Sequence, residues 1–437
     1  MKVWYYRLVI LVIISFSCNL SAQKKWTLRD CIDYARQENI QVKKSRLTAE
    51  SSDIDIKQTK AELFPSLSGS ISQNYSHAKD MSNDYKYKGL FNGQYGLNAS
   101  WTIFDGNRNQ NNIKQAQLQK EADELYIEQQ QNDIEISITQ TYLQLLYARE
   151  SIKNNENIVA SSEVQLQQTL DFLDVGRITQ AEYAQVEAQY SSDKYNLVLA
   201  QNSYDSYLLQ LKQLLELEID NELSVEFPEI GDEQIKVFIP SKYEVYQTAL
   251  QIMPEIKNNQ LNIDISKIGK SSAKAGSMPT VSLNGSIGTS NTWNNGPAFS
   301  TQVNRNFNQY VGVSVSVPIL DNRSTKSNIQ KANLQIQTAE LNYTQAQKDL
   351  SKTVETLYLD AVSGQSNYNA AKDKLKSSEL SYTLVKEQYS LGMRNTVEMT
   401  TEQNNYANAL QELLQAKYTA LLSLKLLNFY QGKEITL

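Results

Sequence analysis

Few residues in this chain are of the types that carry out chemistry. The sequence contains one histidine, His77, and two cysteines, Cys18 and Cys31. Metal sites and nucleophilic catalysis need an imidazole or a cluster of soft ligands, so these counts exclude most sites of both kinds. Pairs of acidic residues occur only on polar, helix-spaced stretches, with no glycine loop or histidine beside them. We therefore expect no enzyme, no cofactor and no metal.

Two glycines stand where long polar tracts are interrupted. Residues 172–183 read FLDVGRITQAEY and residues 388–399 read QYSLGMRNTVEM, so Gly176 and Gly392 are 392 − 176 = 216 residues apart. A lone glycine in such a tract is predicted to adopt positive φ, to end one helix and to let the chain reverse. The two segments are therefore predicted to be the tips of two helical hairpins.

A polar residue and an acid follow each glycine with the spacing of a helix cap. Thr179 precedes Glu182 by three residues, and Asn395 precedes Glu398 by three. This spacing predicts a capping box at the start of each returning helix. Either acid could serve only as a cap that also interacts favourably with the helix dipole.

The elements that position these tips are long helices and short strands. Residues 66–227 and 319–437 contain no proline and are rich in Gln, Glu, Leu, Ala and Lys, which predicts long helices with a thin apolar stripe. Laid over itself at an offset of 216, the chain pairs Asp105 with Asp321 and needs no gap over about 110 residues; before the strands the offset is 214. Each copy thus reads as helix, two strands, long helix, glycine break and helix.

The strands alternate apolar and polar residues with a period of two. Strands are predicted over 65–75, 94–104, 279–289 and 310–320. Leu97, Ala99, Val313 and Val315 are predicted to face lipid, and Asn98, Ser100, Ser314 and Ser316 an aqueous lumen. A half-buried sheet of a soluble domain is the plainer interpretation of any one strand. The segments 76–94 and 290–309 are predicted to be exposed loops.

The N-terminus predicts export from the cytoplasm. Lys2 and Arg7 precede an apolar run, and the small residues Ser21 and Ala22 follow it, which is typical of a cleaved signal peptide over 1–22. Acylation of Cys18 is the alternative that the segment leaves open. The predicted divisions after the signal are a first repeat, a linker and a second repeat, over 23–218, 219–240 and 241–437. The net charge of −6 argues against a nucleic-acid partner.

Four strands are too few to close a barrel, because even small outer-membrane barrels have about eight. Their edges must be paired by other chains or covered. We therefore expect a mainly α chain with a small β part, whose strands fit a membrane β-barrel shared between subunits; three chains would supply twelve strands. A helix of about 68 residues is about 100 Å long, which is enough to place each glycine tip far from the strands.

The chain resembles the outer-membrane efflux protein family, the TolC-like channel-tunnels, over about residues 24–437. The resemblance rests on the duplication, on the two glycine tips and on the phrases FDGNRNQNNIKQA and LDNRSTKSNIQKA that open the long helices. It implies a homotrimer whose twelve-stranded transmembrane β-barrel lies in the outer-membrane lipid of a Gram-negative bacterium and continues into a periplasmic α-helical barrel. It also implies that this trimer docks, tip first, onto a periplasmic adaptor and an inner-membrane pump. It also implies that residues 219–240 pack around the middle of the helical barrel.

The same resemblance assigns roles at the tips. LGMRNTVEM at 391–399 is similar to the family's second tip, so the family's glycine, arginine and acid fall on Gly392, Arg394 and Glu398. The resemblance implies a periplasmic aperture lined by Arg394, Glu398 and Glu402. The family's second acidic position falls on Thr401, with Glu402 beside it. Arg394 is expected to bond across the turn or to a neighbouring chain. The hairpin tips predicted to dock the adaptor comprise Gly176, Arg177, Thr179, Gly392 and Asn395.

A secreted, soluble coiled-coil protein whose strands cap a helical bundle is the alternative. Recovery of the protein in the soluble periplasmic fraction would favour it. A periplasmic adaptor fits less well, because adaptors carry one hairpin within β domains, whereas this sequence has two hairpins.

Overall fold

A computed structural model describes residues 25–79, 87–293 and 297–437. The predicted signal peptide and Cys18 lie outside the described residues. The elements of the first copy are α1 (Leu28–Glu38), α2 (Ile40–Ala61), β1 (Ser66–Lys79), β2 (Tyr87–Phe104), α3 (Arg108–Asp174) and α4 (Gln180–Leu214). Those of the second are α5 (Lys242–Ile252), α6 (Pro254–Ala275), β3 (Thr280–Trp293), α7 (Phe299–Arg305), β4 (Asn308–Ser316), α8 (Ser324–Ser390) and α9 (Thr396–Phe429).

The helix expected at the start of each copy is divided into two. In copy one the break is at Asn39, which has extended ψ and whose side-chain oxygen accepts from the backbone N–H of Gln41. In copy two the break is at Met253, which directly precedes Pro254. A residue before proline is driven out of the helical region, and asparagine competes for backbone groups, so both breaks have a local cause.

The four strands form one antiparallel sheet in the order β1-β2-β3-β4. Ser66 pairs with Ser100 in β1·β2, and Thr280 pairs with Ser316 in β3·β4. These two pairs are related by the sequence offsets, because 66 + 214 = 280 and 100 + 216 = 316. The duplication seen in the sequence therefore extends to the register of strand pairing.

Several strand boundaries differ from the sequence prediction. β4 ends at Ser316 rather than at 320, because Pro318 has no N–H to donate to a strand ladder. β1 and β2 extend by several residues into 76–94, which was predicted to be a loop. In the other predicted loop, 290–309, β3 continues to Trp293, α7 forms, and β4 begins at Asn308.

The short helix α7 covers an edge that β4 leaves open. β4 pairs with β3 only as far as Gly288, so the outer residues of β3 lack a strand on that side. The Gln302 side chain accepts from the Thr292 N–H at 2.8 Å and donates to the Thr292 carbonyl at 3.1 Å. Asn306 Nδ2 donates to the Ser290 carbonyl at 2.7 Å. These side chains satisfy backbone groups that would otherwise be unpaired.

The chain divides into two compact units. The sheet unit comprises Ser45–Ile127 and Pro254–Gln347, and the helical unit comprises the described residues up to Lys44 together with Glu128–Met253 and Lys348–Leu437. In the helical unit the fully buried side chains are mostly aliphatic, among them Ile32, Ile138, Leu145, Leu211, Leu421 and Leu427. No helix in the described part of the chain combines the length and apolar character that a membrane crossing requires.

Within the helical unit, the segment between the copies is bound to the long helices by polar contacts. The Tyr142 hydroxyl donates to the Glu226 carbonyl at 2.7 Å. Asp232 accepts from the Tyr368 hydroxyl at 2.6 Å and is paired with Lys372 on α8. Gln365 donates to the carbonyls of Ile235 and Val237. The linker is thus held against α3 and α8.

Candidate functional sites at the hairpin tips and on the sheet

Both glycines end their helices in the same way. Gly176 has φ +70° and Gly392 has φ +74°, as the sequence predicted. At the first tip Arg177 N donates to the Phe172 carbonyl and Gly176 N to the Leu173 carbonyl. At the second tip the donors Met393 N and Gly392 N bond the carbonyls of Gln388 and Tyr389. This pair of bonds is the Schellman arrangement, which requires a left-handed residue at the glycine position.

The returning helices begin with the predicted capping boxes. Glu182 N donates to Thr179 Oγ1 at 3.3 Å, and the Glu182 carboxylate accepts from Thr179 N at 2.7 Å. Glu398 N donates to Asn395 Oδ1 at 2.9 Å, and the Glu398 carboxylate accepts from Asn395 N at 3.3 Å. The backbone N–H groups stabilise each carboxylate, and so they lower the pKa of Glu182 and of Glu398.

Arg394 and Glu398 form an ion pair at the second tip. Arg394 Nη1 lies 3.0 Å from Glu398 Oε1, and Arg394 Nε donates across the turn to Gln388 Oε1 at 2.8 Å. After the backbone of Asn395, this guanidinium is the next cause of the lowered Glu398 pKa. Both side chains remain about half exposed. The turn is therefore bridged by a charged side chain that is accessible from outside.

Glu402 has other partners than this pair. Its carboxylate accepts from the Ser381 hydroxyl on α8 at 2.8 Å and from Asn405 Nδ2 at 3.3 Å. The side chain is half-buried against the preceding helix. The structure thus separates the predicted aperture residues into an ion pair at the turn and an acid bonded between α8 and α9.

Arg177 lies between the two tips. Its guanidinium carbon is 4.4 Å from the centre of the Phe172 ring, a cation–π distance. A Cβ placed on Gly392 would come within 2.7 Å of Arg177 Nη2, so the arginine lies directly against the second turn. The first-tip arginine is therefore a contact between the hairpins, a role that the sequence did not predict.

The hairpins pack through aromatic rings and hydroxyl groups near the tips. Tyr382, Tyr389 and Met399 are buried together, with Phe172 and Tyr406 packed against them. The Tyr389 and Thr169 hydroxyls lie 3.3 Å apart, and those of Tyr382 and Ser161 lie 3.1 Å apart. These contacts join α3 to α8 by hydrogen bonds rather than by aliphatic packing alone.

A buried carboxylate, Asp193, was missed by sequence reasoning. Asp193 on α4 is 4% exposed and accepts from Gln189 Nε2 at 2.9 Å and from Gln403 Nε2 on α9 at 3.2 Å. Burial raises its pKa, although the bonds from Gln189 and from Ser162 on α3 act in the opposite direction. The signal was its spacing, because it lies seven residues from both Val186 and Ala200 on the buried stripe.

One amide of this network is incompletely bonded. Gln403 is 3% exposed, and its Oε1 has no hydrogen-bond partner among the residues that the structure describes. Beside it, Gln189 and Asn404 exchange two hydrogen bonds of 3.0 and 3.1 Å. The contact between α4 and α9 is thus a polar one with an unmet acceptor next to a carboxylate.

In the sheet unit, strand register places like residues on one face. Asn98 pairs with Ser286, Ser100 with Asn284, and Ser314 with Ser282. This face carries the even-numbered residues of the four strands. All of them are uncharged, and most are Ser, Asn, Thr or Gly, over the ranges Ser66 to Ser76, Asn92 to Thr102, Thr280 to Thr292 and Asn308 to Ser316. The sheet therefore has a polar face without charge.

The opposite face of the sheet is apolar and exposed. Exposure reaches 78% for Ile71, 79% for Val311 and 65% for Val313. An aromatic row crosses three strands at one level, since Tyr75 pairs with Phe91 and Phe91 with Trp293. At the other end of the strands, Trp101 Nε1 donates to the Leu63 carbonyl at 2.7 Å. The apolar face is thus bordered by aromatic residues at both ends.

Two long helical hairpins and a sheet with one apolar and one uncharged polar face are the parts of an outer-membrane channel protein. The family model for the outer membrane efflux protein matches residues 31–216 and 245–433. The chain belongs to the outer membrane efflux protein family.

Relatives and solved structures agree with this assignment. The outer membrane protein TolC of Escherichia coli is 24% identical over 95% of this chain and 84% of its own length. The outer membrane efflux protein BepC of Brucella suis is 21% identical over 91% and 83%. Among solved structures, the Campylobacter jejuni CmeC outer membrane channel has a TM-score of 0.77 at 20% identity, covering 94% of this chain and 87% of that one. VceC from Vibrio cholerae has a TM-score of 0.76 at 17% identity, covering 93% and 96%.

The protein is an outer-membrane channel for efflux or secretion. Its family is a channel-forming family and not an enzyme family. The alternative of a secreted, soluble coiled-coil protein is not supported by these findings.

Proposed function

We propose that the chain forms a homotrimeric export duct, in which three sheets close into a twelve-stranded barrel in outer-membrane lipid and the helices continue as a periplasmic tunnel. The observation that carries this proposal is the sheet. No other strand of the described residues pairs with its outer edges at β1 and β4, and its two faces differ in polarity. Neighbouring copies satisfy both edges at once.

The height of the apolar face supports a membrane position. Phe91 and Trp101 on β2 mark its aromatic borders and are separated by 101 − 91 = 10 residues. At about 3.3 Å per residue and a tilt of about 45°, this separation corresponds to roughly 23 Å along the membrane normal. The apolar band of outer-membrane barrels is about 25 Å tall.

The uncharged polar face is proposed to line the lumen of the barrel. Serine and asparagine side chains keep such a wall wetted without selecting by charge. Discrimination between ions is then left to the charged groups at the tips.

The hairpin tips are proposed to dock a periplasmic adaptor, through which the duct connects to an inner-membrane pump. Support comes from apolar side chains that protrude beside the two glycines: Val175, Leu391 and Met393 are each about 70% exposed. Exposed apolar groups next to rigid turns provide contact area at low cost in side-chain entropy. Gly176, Arg177, Thr179, Gly392 and Asn395 fix the shape of this surface.

Arg394 and Glu398 are proposed to line the periplasmic aperture, with Glu402 as a supporting acid. Three symmetric copies of Glu398 would place negative charge around one axis, which attracts cations and repels anions at a constriction. The exposed Arg394–Glu398 pair keeps this charge next to the turn.

Lysine substitution on the two faces of β4 tests the proposed membrane position. We expect Val313→Lys to destabilise the inserted trimer by about 1 kcal/mol or more, because Val313 is on the apolar face that is proposed to contact lipid, and Ser314→Lys by much less. The measurement is the yield of heat-resistant trimer in outer-membrane fractions. The two positions are adjacent and differ only in face, so each is the control for the other; equal yields would contradict the proposal.

A further inference from the structure

The pairing between neighbouring copies can be derived from the internal duplication. Within one chain, β2·β3 joins the second strand of copy one to the first strand of copy two. A contact between β4 and β1 of the next chain joins the second strand of copy two to the first strand of copy one. The two contacts are therefore equivalent under the repeat, and one can be calculated from the other.

The structure establishes the offsets that this calculation needs. All nine pairs of β3·β4 are obtained from pairs of β1·β2 by adding 214 to the first strand and 216 to the second. Asn74↔Asn92, for instance, becomes Gly288↔Asn308. The repeat is thus exact at the level of single pairs, including where the sequences differ.

The same offsets transfer the β2·β3 register to the edges. From Phe91↔Trp293 to Thr102↔Ser282, before the register shift at Phe104, the residue numbers of each pair in β2·β3 add up to 384. Replacing β2 by its counterpart β4 adds 216 to one residue number, and replacing β3 by its counterpart β1 subtracts 214 from the other. The sum therefore becomes 384 + 216 − 214 = 386. In each pair between β4 of one copy and β1 of its neighbour, the two residue numbers therefore add up to 386.

We propose that β4 of one copy pairs with β1 of a second copy of this chain in this register, so that each subunit contributes one edge of a seam between subunits. This inference rests on the proposed trimer and adds its residue-level interface. The central pairs of the seam are Ser316 with Ser70, Val315 with Ile71, Ser314 with Ser72, Val313 with Gln73, Gly312 with Asn74 and Val311 with Tyr75.

Several independent features agree with this register. It places serine opposite serine on the polar face and Val315 opposite Ile71 on the apolar face, so both faces continue across the seam. A shift by one residue would bring polar and apolar residues together. The proposed seam also ends where Pro318 would meet Ser68, a position at which proline has no N–H to donate.

Paired cysteines test the register in the full-length protein. In Ser314→Cys/Ser72→Cys the two Cα atoms of directly opposite residues would be about 4.5–5.5 Å apart, within the range of a disulfide, whereas a register shifted by two places them beyond it. We expect on the order of tenfold more covalent trimer from this pair than from shifted pairs after mild oxidation. Val313→Cys/Gln73→Cys, on the other face, should behave in the same way.

The matched controls shift the register but keep the same face. They are Ser314→Cys/Ser70→Cys and Ser314→Cys/Asn74→Cys, together with each single variant. A disulfide within one chain is excluded by distance, because β1 and β4 are three strand spacings apart, about 14 Å. Cys31 is buried and is common to every variant.

The outcomes separate the seam from the proposed duct. Preferential cross-linking of Ser314→Cys/Ser72→Cys supports the register. Trimers captured by an amine-reactive cross-linker, with disulfides favoured in a shifted pair or absent from all pairs, would overturn the register and leave the duct standing. Monomers in every variant and in the unsubstituted protein would overturn both.

Discussion

The two hairpin tips share a backbone and differ in their charges. Both turn through a left-handed glycine and restart with a capping box, at positions 216 residues apart. At the first tip the arginine stacks on Phe172 and reaches Gly392, whereas at the second tip Arg394 pairs with its own Glu398. Duplication has thus preserved the turn while the arginines serve different contacts.

The returning helices differ further along in the same manner. Asp193 on α4 corresponds to Ala409 on α9, because 193 + 216 = 409, and Ala409 is fully buried. Glu402 on α9 corresponds to Val186, since 186 + 216 = 402, and Val186 is also buried. Each helix therefore carries one acid on its inward stripe, but at different levels. The two copies therefore keep the same backbone geometry at the turn, but they differ in the polar side chains that form contacts between the hairpins.

The largest effect is expected from alanine at the glycines. A left-handed non-glycine residue costs about 1–2 kcal/mol, so both Gly176→Ala and Gly392→Ala should destabilise their turns. Gly392→Ala should cost more, because its Cβ also displaces the Arg177 side chain, while Gly176 has open space. Hydrogen exchange of the amides flanking each turn measures the local opening free energy.

Gly392→Ala combined with Arg177→Ala sharpens this comparison. Without the arginine side chain, the two glycine positions should become equally sensitive. If Gly392→Ala still cost more than Gly176→Ala by the same margin when Arg177→Ala is also present, the proposed contact would be contradicted.

The next effect concerns pH at Asp193. Its pKa is raised in the folded protein, so the folded state binds its proton more tightly than the unfolded state does, and the contact between α4 and α9 gains stability as pH falls through the raised pKa towards the ordinary value of 3.8. Asp193→Asn should remove this gain, because the amide is neutral and can donate to Gln403 Oε1. Hydrogen exchange in α4 and α9 between neutral and mildly acidic pH is the measurement.

Gln403→Leu is the control for this prediction. It removes the unmet acceptor and the donor together but leaves the carboxylate buried, so the dependence on pH should persist. An unchanged pH profile in Asp193→Asn would show that another group is responsible.

The smallest effect on stability is expected at the exposed pair of the second tip. Arg394→Ser should raise single-channel conductance in planar bilayers, because it releases the charged bridge across the turn. Glu398→Gln should lower cation selectivity and weaken block by multivalent cations. Both effects are expected at the proposed aperture, and both substitutions should leave the stability of the protein nearly unchanged.

The first tip supplies matched variants. Arg177→Ser and Glu182→Gln should alter conductance and selectivity less than their counterparts do. If all four variants conducted like the unsubstituted protein while still inserting as trimers, the acids would serve only as helix caps.

The sequence by itself determined the repeating features of this protein. Positive φ at Gly176 and Gly392, the capping boxes and the two-residue strand period all depend on neighbours within about one turn, so local steric and hydrogen-bonding rules suffice to predict them. The equivalence of the two copies also needed only the offsets of 216 and 214. Asn39 and Pro254 show that the breaks in the first helices were local too, although the prediction had joined them.

Tertiary structure alone decided which side chains meet across the hairpins. Arg177 against Gly392, Asp193 with Gln403, and Glu402 with Ser381 join residues that are 21 to 215 positions apart. In the sequence of a long polar helix, an exposed charged residue cannot be distinguished from a buried one by its spacing alone. Burial also depends on which helix packs against it. The cover of the outer end of β3 by α7 likewise required the sheet, since an edge exists only after the strands have paired.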